Sequence, residues 1–399
     1  MTDAPGKYAG NGATPPASIS APAVLRRRSM VLITGGSGFL GANLADRLAA
    51  TGERVLIYDN LSRANVMTNL EWLQRRHGHR IETAIADVRD AEALRETVRQ
   101  ASAVVHLAAQ VAVTSSLDDP VADFEVNARG TLNVLEAARR RPDPPPLIFA
   151  STNKVYGAPF DAARLLADGQ RHRPGDGMPR AVDETWPLGL CSPYGCSKGA
   201  ADQYVLDYAR VFGLRTVVFR MSCLYGPRQF GTEDQGWVAH FLIRALRGEP
   251  ITIFGDGRQV RDLLYVDDAV DAYLRARAGI DALAGHAFNL GGGPRNAASL
   301  LELLAHFADL GIAPPPVRFA GWRPGDQRYY VSDTSKLERL AGWRARTSVP
   351  EGLRRLHRWL VASGIGPGEP AAGIEPAILP GIRPPARPEA QPEAQKVPA

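Results

Sequence analysis

A tyrosine and a lysine four residues apart, Tyr194 and Lys198, open the stretch SPYGCSKGAADQYVLDYAR, which reads as a helix. At that spacing the two side chains share one face. A phenol with an ordinary pKa of about 10 is a poor base at neutral pH. A neighbouring ammonium and the positive ring of an oxidised nicotinamide favour the phenolate and move the group toward the working range. Lys198 also has the reach to hold the nicotinamide ribose. Upstream, an apolar run ends in STNKVYG, which places Thr152, a hydroxyl suited to bond a substrate oxygen and relay its proton to Tyr194. An isolated Tyr-x-x-x-Lys is more often an amphipathic helix whose polar tips reach solvent. What favours catalysis here is the pattern that precedes it.

That pattern is a dinucleotide turn. MVLIT (30–34) runs directly into TGGSGFLG, so Gly35, Gly38 and Gly41, with Ser37, Phe39 and Leu40 between them, lead from a strand into a helix. The backbone there must turn tightly, approach a pyrophosphate and pack the helix on the sheet, and side chains obstruct all three. A second strand, RVLIYD (54–59), ends in Asp59, in range for a carboxylate that accepts from the adenosine ribose and repels a 2′-phosphate. NAD is therefore the expected cofactor, with Asn60, Ser62 and Arg63 beside it; Arg63 is the residue that would suit NADP. Asp87, followed by Val88, closes the third strand and suits the adenine edge. Leu107, Ala108 and Gln110 follow the fourth and line the cofactor path.

Such a site needs strands that end together. Apolar runs at 30–34, 54–59, 81–87, 103–109, 147–151 and 216–220 alternate with helical stretches such as 42–50 and 121–141, the latter stopped by Pro142–Pro146. The expected fold is α/β: a Rossmann-type doubly wound parallel sheet with a smaller mixed α/β cap for the substrate. Residues 29–225 read mainly as the NAD-binding domain. Residues 226–365 read mainly as the cap, interleaved with the core and carrying short strands at 251–254 and 286–292. Residues 1–28 and 366–399 are Pro/Ala/Gly-rich and read as disordered tails.

With these motifs placed, STNKVYG, SPYGCSKGAADQY, DYARVFGL and RQFGTEDQGWV resemble the CDP-tyvelose 2-epimerases (also called CDP-paratose 2-epimerases) of the extended short-chain dehydrogenase/reductase family. The resemblance covers about residues 30–360, and the Gly-x-x-Gly-x-x-Gly spacing belongs to the same family. It implies that bound NAD takes a hydride from carbon 2 of a CDP-hexose and returns it to the other face of the keto sugar. Tyr194 would then be base and acid, with Thr152 orienting the hydroxyl and Lys198 tuning Tyr194. It also implies a diphosphate held by Arg261 and Arg323, with Arg328 a weaker candidate. Thr152, Asn153, Lys154, Glu184 and Gln235 would contact the sugar nucleotide, although Glu184 reads almost as well as a local cap or ion pair. A homodimer through helices 121–141 and 195–212 follows from the same likeness. Sugar 4,6-dehydratases of the family carry STDEVYG; Asn153 and Lys154 replace that acid–base pair, so dehydration is not expected.

Residues 157–190 depart from the family pattern as a polar, Gly/Pro-rich insertion, expected near the substrate mouth, where loops set specificity. Two alternatives stay open: a UDP-sugar 4-epimerase or UDP-uronate decarboxylase on the same scaffold, and a non-catalytic NAD-binding sensor or scaffold, which the Tyr/Lys pair disfavours. Composition narrows the rest. Of 399 residues 45% are apolar and the net charge is +5, with arginines scattered rather than blocked, so neither nucleic acid nor membrane is an expected partner. Cys191, Cys196 and Cys223 have no metal-ligand spacing and read as reduced thiols; with no signal peptide or long apolar run, a cytoplasmic protein is expected.

Overall fold

The computed structural model describes residues 30–366. The two sequence-read tails therefore lie, except for Gly366, outside the described residues. In chain order the strands begin with β1 (Met30–Thr34), β2 (Val55–Asp59), β3 (Ile81–Ile85), β4 (Ala101–His106), β5 (Leu147–Thr152), β6 (Leu165–Asp168), β7 (Arg171–Pro174) and β8 (Thr216–Met221). They continue with β9 (Cys223–Tyr225), β10 (Ile251–Phe254), β11 (Val260–Tyr265), β12 (His286–Leu290), β13 (Ala297–Ser299), β14 (Val317–Ala320) and β15 (Tyr329–Tyr330).

Successive strand residues point to opposite faces, and in β1 both faces are covered. Val31 and Ile33 join a core with the helices Phe39–Ala50 and Val266–Ala278. Met30 and Leu32 join another with Ala91–Val98, Gly130–Arg139 and Ser192–Phe212. Burial on both sides explains why these strands read as continuous apolar runs. Seven strands pair in parallel in the order β12-β8-β5-β4-β1-β2-β3. The chain works outward in opposite directions from β1 and β4, which opens a crevice at the carboxyl ends between them.

Two elements differ from the sequence reading. The run 286–292, read among the cap strands, supplies β12 at the edge of the main sheet, because Phe288 and Leu290 pack with Phe219 in the first core. The helix read at 121–141 is Pro120–Phe124, a five-residue π-turn at Glu125–Arg129, and Gly130–Arg139. One extra residue per turn rotates the side chains before it relative to those after it, a device common at functional sites.

In the cap, β10 pairs with β14, and β11 pairs with β13, β15 and β9. Their apolar faces close with the helices Trp237–Leu246 and Val349–Ala362 through Phe241, Leu242, Ile253, Leu353 and Leu356. Residues 157–190 carry the antiparallel hairpin β6–β7 and an aromatic cluster in which Phe160 meets Trp186 and Tyr329 at ring separations of 5.5 and 5.1 Å. Among the described residues no helix is long and apolar enough to cross a membrane.

Candidate active site

A cleft of about 910 Å³ runs from the glycine turn after β1, past the ends of β4 and β5, to the cap. Its first end is shaped by what cannot be there. Gly35 has φ +67°, and a Cβ on it would lie 2.7 Å from the Ala108 nitrogen; one on Gly41 would lie 2.5 Å from the Gly35 oxygen. Only glycine lets turn, helix and β4 loop approach this closely. Asp59 is set at the end of β2, with its carboxylate accepting from the Ser37 and Leu61 amides at 3.0 and 2.9 Å. Burial pushes that carboxyl up, and these bonds pull it back. Each oxygen keeps a lone pair for a ligand hydroxyl. Asp87 is gripped by the Arg89 guanidinium at 2.9 Å through both oxygens and by Asn60 at 2.8 Å, which holds it down at about 2.

The expected cofactor residues Gly35, Gly38, Phe39, Leu40, Gly41, Asp59, Asn60, Ser62, Arg63, Asp87, Val88, Leu107, Ala108, Gln110 and Tyr194 all line this cleft. Ser37 stands behind the wall and serves through its amide on Asp59. A Cβ-free cradle beside a prepositioned carboxylate fits the pyrophosphate and ribose of NAD. Under the floor His106 is fully buried between Thr34 (2.6 Å) and Thr131 (3.0 Å), and burial drives its pKa down to about 3, so it stays neutral.

At the centre Thr152 ends β5 and Tyr194 begins the helix Ser192–Phe212, whose Tyr194 amide donates to Ser116 Oγ at 3.2 Å. Burial pushes the phenol up to about 12; the neighbouring Thr152 side chain and the charge of Arg63 pull it back, while Asp123 works against them. Lys198 lies off the wall, 3% exposed, with Nζ 4.1 Å from the Phe149 ring centroid. Burial lowers it to about 7 against the pull of Asp202 and Asp123. In the ligand-free chain the cation opposing the phenol's rise is thus Arg63, a residue expected at the adenosine ribose.

Sequence reasoning missed the polar network behind this pair. Asn127 accepts from the Gln110 amide at 2.9 Å and donates to Asp123 and Ser197, each at 3.1 Å. Ser197 also donates to the other Asp123 oxygen. All three are buried. The available signal was the four-residue spacing of Asp123 and Asn127 in VADFEVN. A second missed group fixes the end of β5: Arg220 donates to both Asp202 oxygens at 2.9 and 3.0 Å, and Ser151 donates to Asp202 at 2.7 Å.

At the cap end Thr152, Asn153, Lys154, Gln235, Arg261 and Arg323 line the cleft. Lys154 Nζ donates to the Gly325 oxygen at 3.2 Å and lies 3.6 Å from Asp326, which also takes Arg261 at 2.7 Å. Two cations on one carboxylate leave positive charge for an anionic ligand. Arg323 pairs with Glu233 at 2.8 Å and covers the Phe254 ring at 3.7 Å. Glu184 is not on the wall: its carboxylate accepts from the Asn289 amide at 2.7 Å, the local role that was its alternative. Arg328 sits over Trp322 at 4.7 Å, also off the wall. Nor does any residue of 157–190 line the cleft; the hairpin packs on the cap instead, which corrects its expected place at the substrate mouth.

The comparisons with known proteins agree with this geometry. Residues 31–291 match the NAD dependent epimerase/dehydratase family. The CDP-paratose 2-epimerase of Salmonella typhi is 42% identical over 338 residues, 82% of this chain and 98% of that protein. The UDP-glucose 4-epimerase of Thermotoga maritima, solved with UDP-glucose, superposes with a TM-score of 0.71 at 31% identity, covering 84% of this chain and 99% of that one. The Thermus thermophilus UDP-glucose 4-epimerase, solved with NAD, gives 0.70 at 34% identity with the same coverage. A family match across most of the folded chain, on a cleft built for a dinucleotide and a buried tyrosine, makes this protein a member of the NAD dependent epimerase/dehydratase family.

Proposed function

We propose that the chain inverts carbon 2 of a CDP-linked hexose by transient oxidation to a keto sugar. The observation that carries this reading is a single cleft whose wall holds Thr152 and the buried Tyr194 between the glycine turn and Lys154, Arg261 and Arg323. NAD, when bound, supplies the hydride acceptor and donor. Tyr194 takes the proton of the sugar hydroxyl through Thr152 as that carbon is oxidised, and returns it after the keto sugar has turned its other face. Arg63 and Thr152 favour the phenolate that the first step requires. Asp59 holds the adenosine ribose, and Asp87 the adenine edge. Lys154, Arg261 and Arg323 carry the diphosphate charge, with Asn153 and Gln235 against the sugar nucleotide. In this reading residues 29–225 hold NAD and residues 226–365 hold the substrate, with β12 lent to the main sheet.

The choice of carbon 2 and of cytidine rests on the likeness to the Salmonella enzyme. Asn153 and Lys154 cannot act as a carboxylic acid and a carboxylate, so loss of water from the keto sugar has no catalyst here. The product carries the same oxidation level as the substrate, so no external reductant is consumed. Three free thiols fit a reducing cytoplasm. Val121, Phe124, Tyr204 and Val211 are exposed on the neighbouring helices Pro120–Phe124 and Ser192–Phe212, which fits a homodimer closed through that face.

The test is to give the purified protein CDP-paratose, CDP-tyvelose, CDP-glucose and UDP-glucose separately, without added cofactor, and follow the sugar protons by NMR. A carbon-2 epimer from a CDP-sugar supports the proposal. Inversion at carbon 4 of UDP-glucose, with no CDP-sugar turned over, replaces it with a 4-epimerase.

A further inference from the structure

Residues 157–190 reach the cleft at one remove, and the route is specific. The hairpin β6–β7 grips the turn Gly255–Arg258 from outside. The His172 amide donates to the Arg258 oxygen at 2.8 Å, the His172 Nε2 lies 2.9 Å from Asp256 Oδ2, and Arg258 Nε donates to the Gly169 oxygen at 3.1 Å. Beside it Arg171 donates to both Glu302 oxygens at 2.6 Å and to the Ala297 oxygen at 3.1 Å. Glu302 is the capping-box residue of the helix Leu300–Ala305, with Ser299 as its partner. The Leu301 amide donates to the Gly257 oxygen at 3.1 Å, so turn and helix are tied to each other as well.

What these two held elements present inward is the cap wall of the cleft. Phe254 and Gln259 flank the turn, and Leu300 opens the helix; all three line the cleft. Gln259 is 3% exposed and donates to the Phe254 oxygen at 2.6 Å, closing the turn on itself. Gly255 and Gly257 have φ +91° and +74°, so the turn contains two residues with wide conformational freedom. Within the turn the Arg258 amide donates to Asp256 Oδ1 at 3.0 Å, so the Asp256 carboxylate fixes its shape. His172, 8% exposed, is placed to hold that carboxylate.

We infer that His172 and Arg171 are positioning residues: the hairpin sets the shape of the nucleotide end of the cleft through Asp256 and Glu302 without touching the ligand. The inference rests on the reading of that end as a nucleotide site. Its consequence is a division of labour, in which changes in the hairpin alter nucleotide affinity and leave the chemistry at Tyr194 and the binding of NAD unchanged.

Three variants test it: His172→Phe, which keeps bulk but not the bond to Asp256; His172→Gln, whose side-chain amide can restore that bond; and Arg171→Met. Amide hydrogen exchange of residues 251–259 is followed in the ligand-free protein, CDP and UDP binding by calorimetry, and KM, kcat and bound NAD in the epimerase assay. Loss of one buried hydrogen bond predicts about fivefold weaker CDP binding and a similar rise in KM for His172→Phe. Faster exchange in 251–259, unchanged kcat, unchanged NAD content and recovery in His172→Gln are expected with it, and Arg171→Met shifts affinity in the same direction. Unchanged CDP affinity in His172→Phe overturns the proposal, as does a parallel fall in kcat and NAD content that His172→Gln does not reverse. A wild-type protein that binds neither CDP nor UDP, while exchange still rises in His172→Phe, overturns the nucleotide reading of the site and leaves the brace standing.

Discussion

Replacing Lys198 with methionine should make the protein more stable, by an amount that shrinks as the pH rises. Lys198 is 3% exposed, and burial lowers its pKa from 10.5 to about 7. Below pH 7 the ammonium is charged in both folded and unfolded chains, and the folded state bears the whole desolvation penalty. At about 1.4 kcal/mol per pH unit, the distance between those pKa values corresponds to about 5 kcal/mol. Above 10.5 the amine is neutral in both states and the penalty vanishes. Between these limits the unfolded chain binds the extra proton, so stability rises with pH, and from pH 7 to pH 9 the penalty falls by about 2 kcal/mol. Methionine fills similar volume without charge. It also removes the contact of the ammonium with the Phe149 ring, an attraction that fades in the wild type as Lys198 loses its proton. Urea unfolding of wild type and Lys198→Met at pH 7 and pH 9, with NAD removed, isolates the ionisation of Lys198 and its close neighbours, because the titrating groups remote from it cancel. A stability difference equal at the two pH values refutes the reasoning, whatever its sign. The variant should be inactive, which would make Lys198 a residue kept at a cost in stability.

Other outcomes follow from the same geometry. Tyr194→Phe should cost about a thousandfold in kcat, the usual scale for losing a positioned acid–base group, while the purified protein keeps its bound NAD as read by absorbance after denaturation. Asp59→Ala removes the carboxylate held by the Ser37 and Leu61 amides and should weaken NAD about ten- to a hundredfold in titration, with NADP gaining relative to NAD. His106, neutral down to about pH 3 when folded, forces acid lability: the unfolded chain takes a proton below about pH 6.5, so stability falls between those values. His106→Gln should flatten that part of the curve in urea unfolding. Phe124→Asp places a charge on the exposed apolar helix face, where Phe124 is 53% exposed, and should lower the mass in light scattering from that of the proposed dimer to that of a monomer.

The sheet and both ends of the cleft were legible because their constraints are local. Gly35 and Gly41 admit no side chain, and the strands β1, β2, β4, β5 and β8 are buried on both faces and so read as apolar runs. The Tyr194/Lys198 spacing needed only a helix. What escaped sequence reading depends on packing between distant segments. Asp123, Asn127 and Ser197 become one network only when the π-turn at Glu125–Arg129 brings the first helix against Ser192–Phe212. That the charge of Arg63, at the ribose end, acts on Tyr194 depends on side-chain direction, which spacing does not encode. Glu184 reads as a substrate contact, with a local cap or ion pair almost as good, and the Asn289 amide decides for the local role. The segment 157–190 reads as an insertion near the substrate mouth and instead packs on the outside of the cap, because its partners Asp256 and Glu302 lie 84 and 131 residues downstream of His172 and Arg171.

The central claim is that one hydrogen leaves carbon 2 as hydride and returns to the same carbon. The direct measurement is the turnover of CDP-paratose or CDP-tyvelose in deuterated water with no added cofactor, with the carbon-2 position of the product read by NMR. The account predicts a carbon-2 epimer that retains its protium. An epimer carrying deuterium at carbon 2 would show proton abstraction instead and would contradict the roles given to NAD, Tyr194 and Thr152.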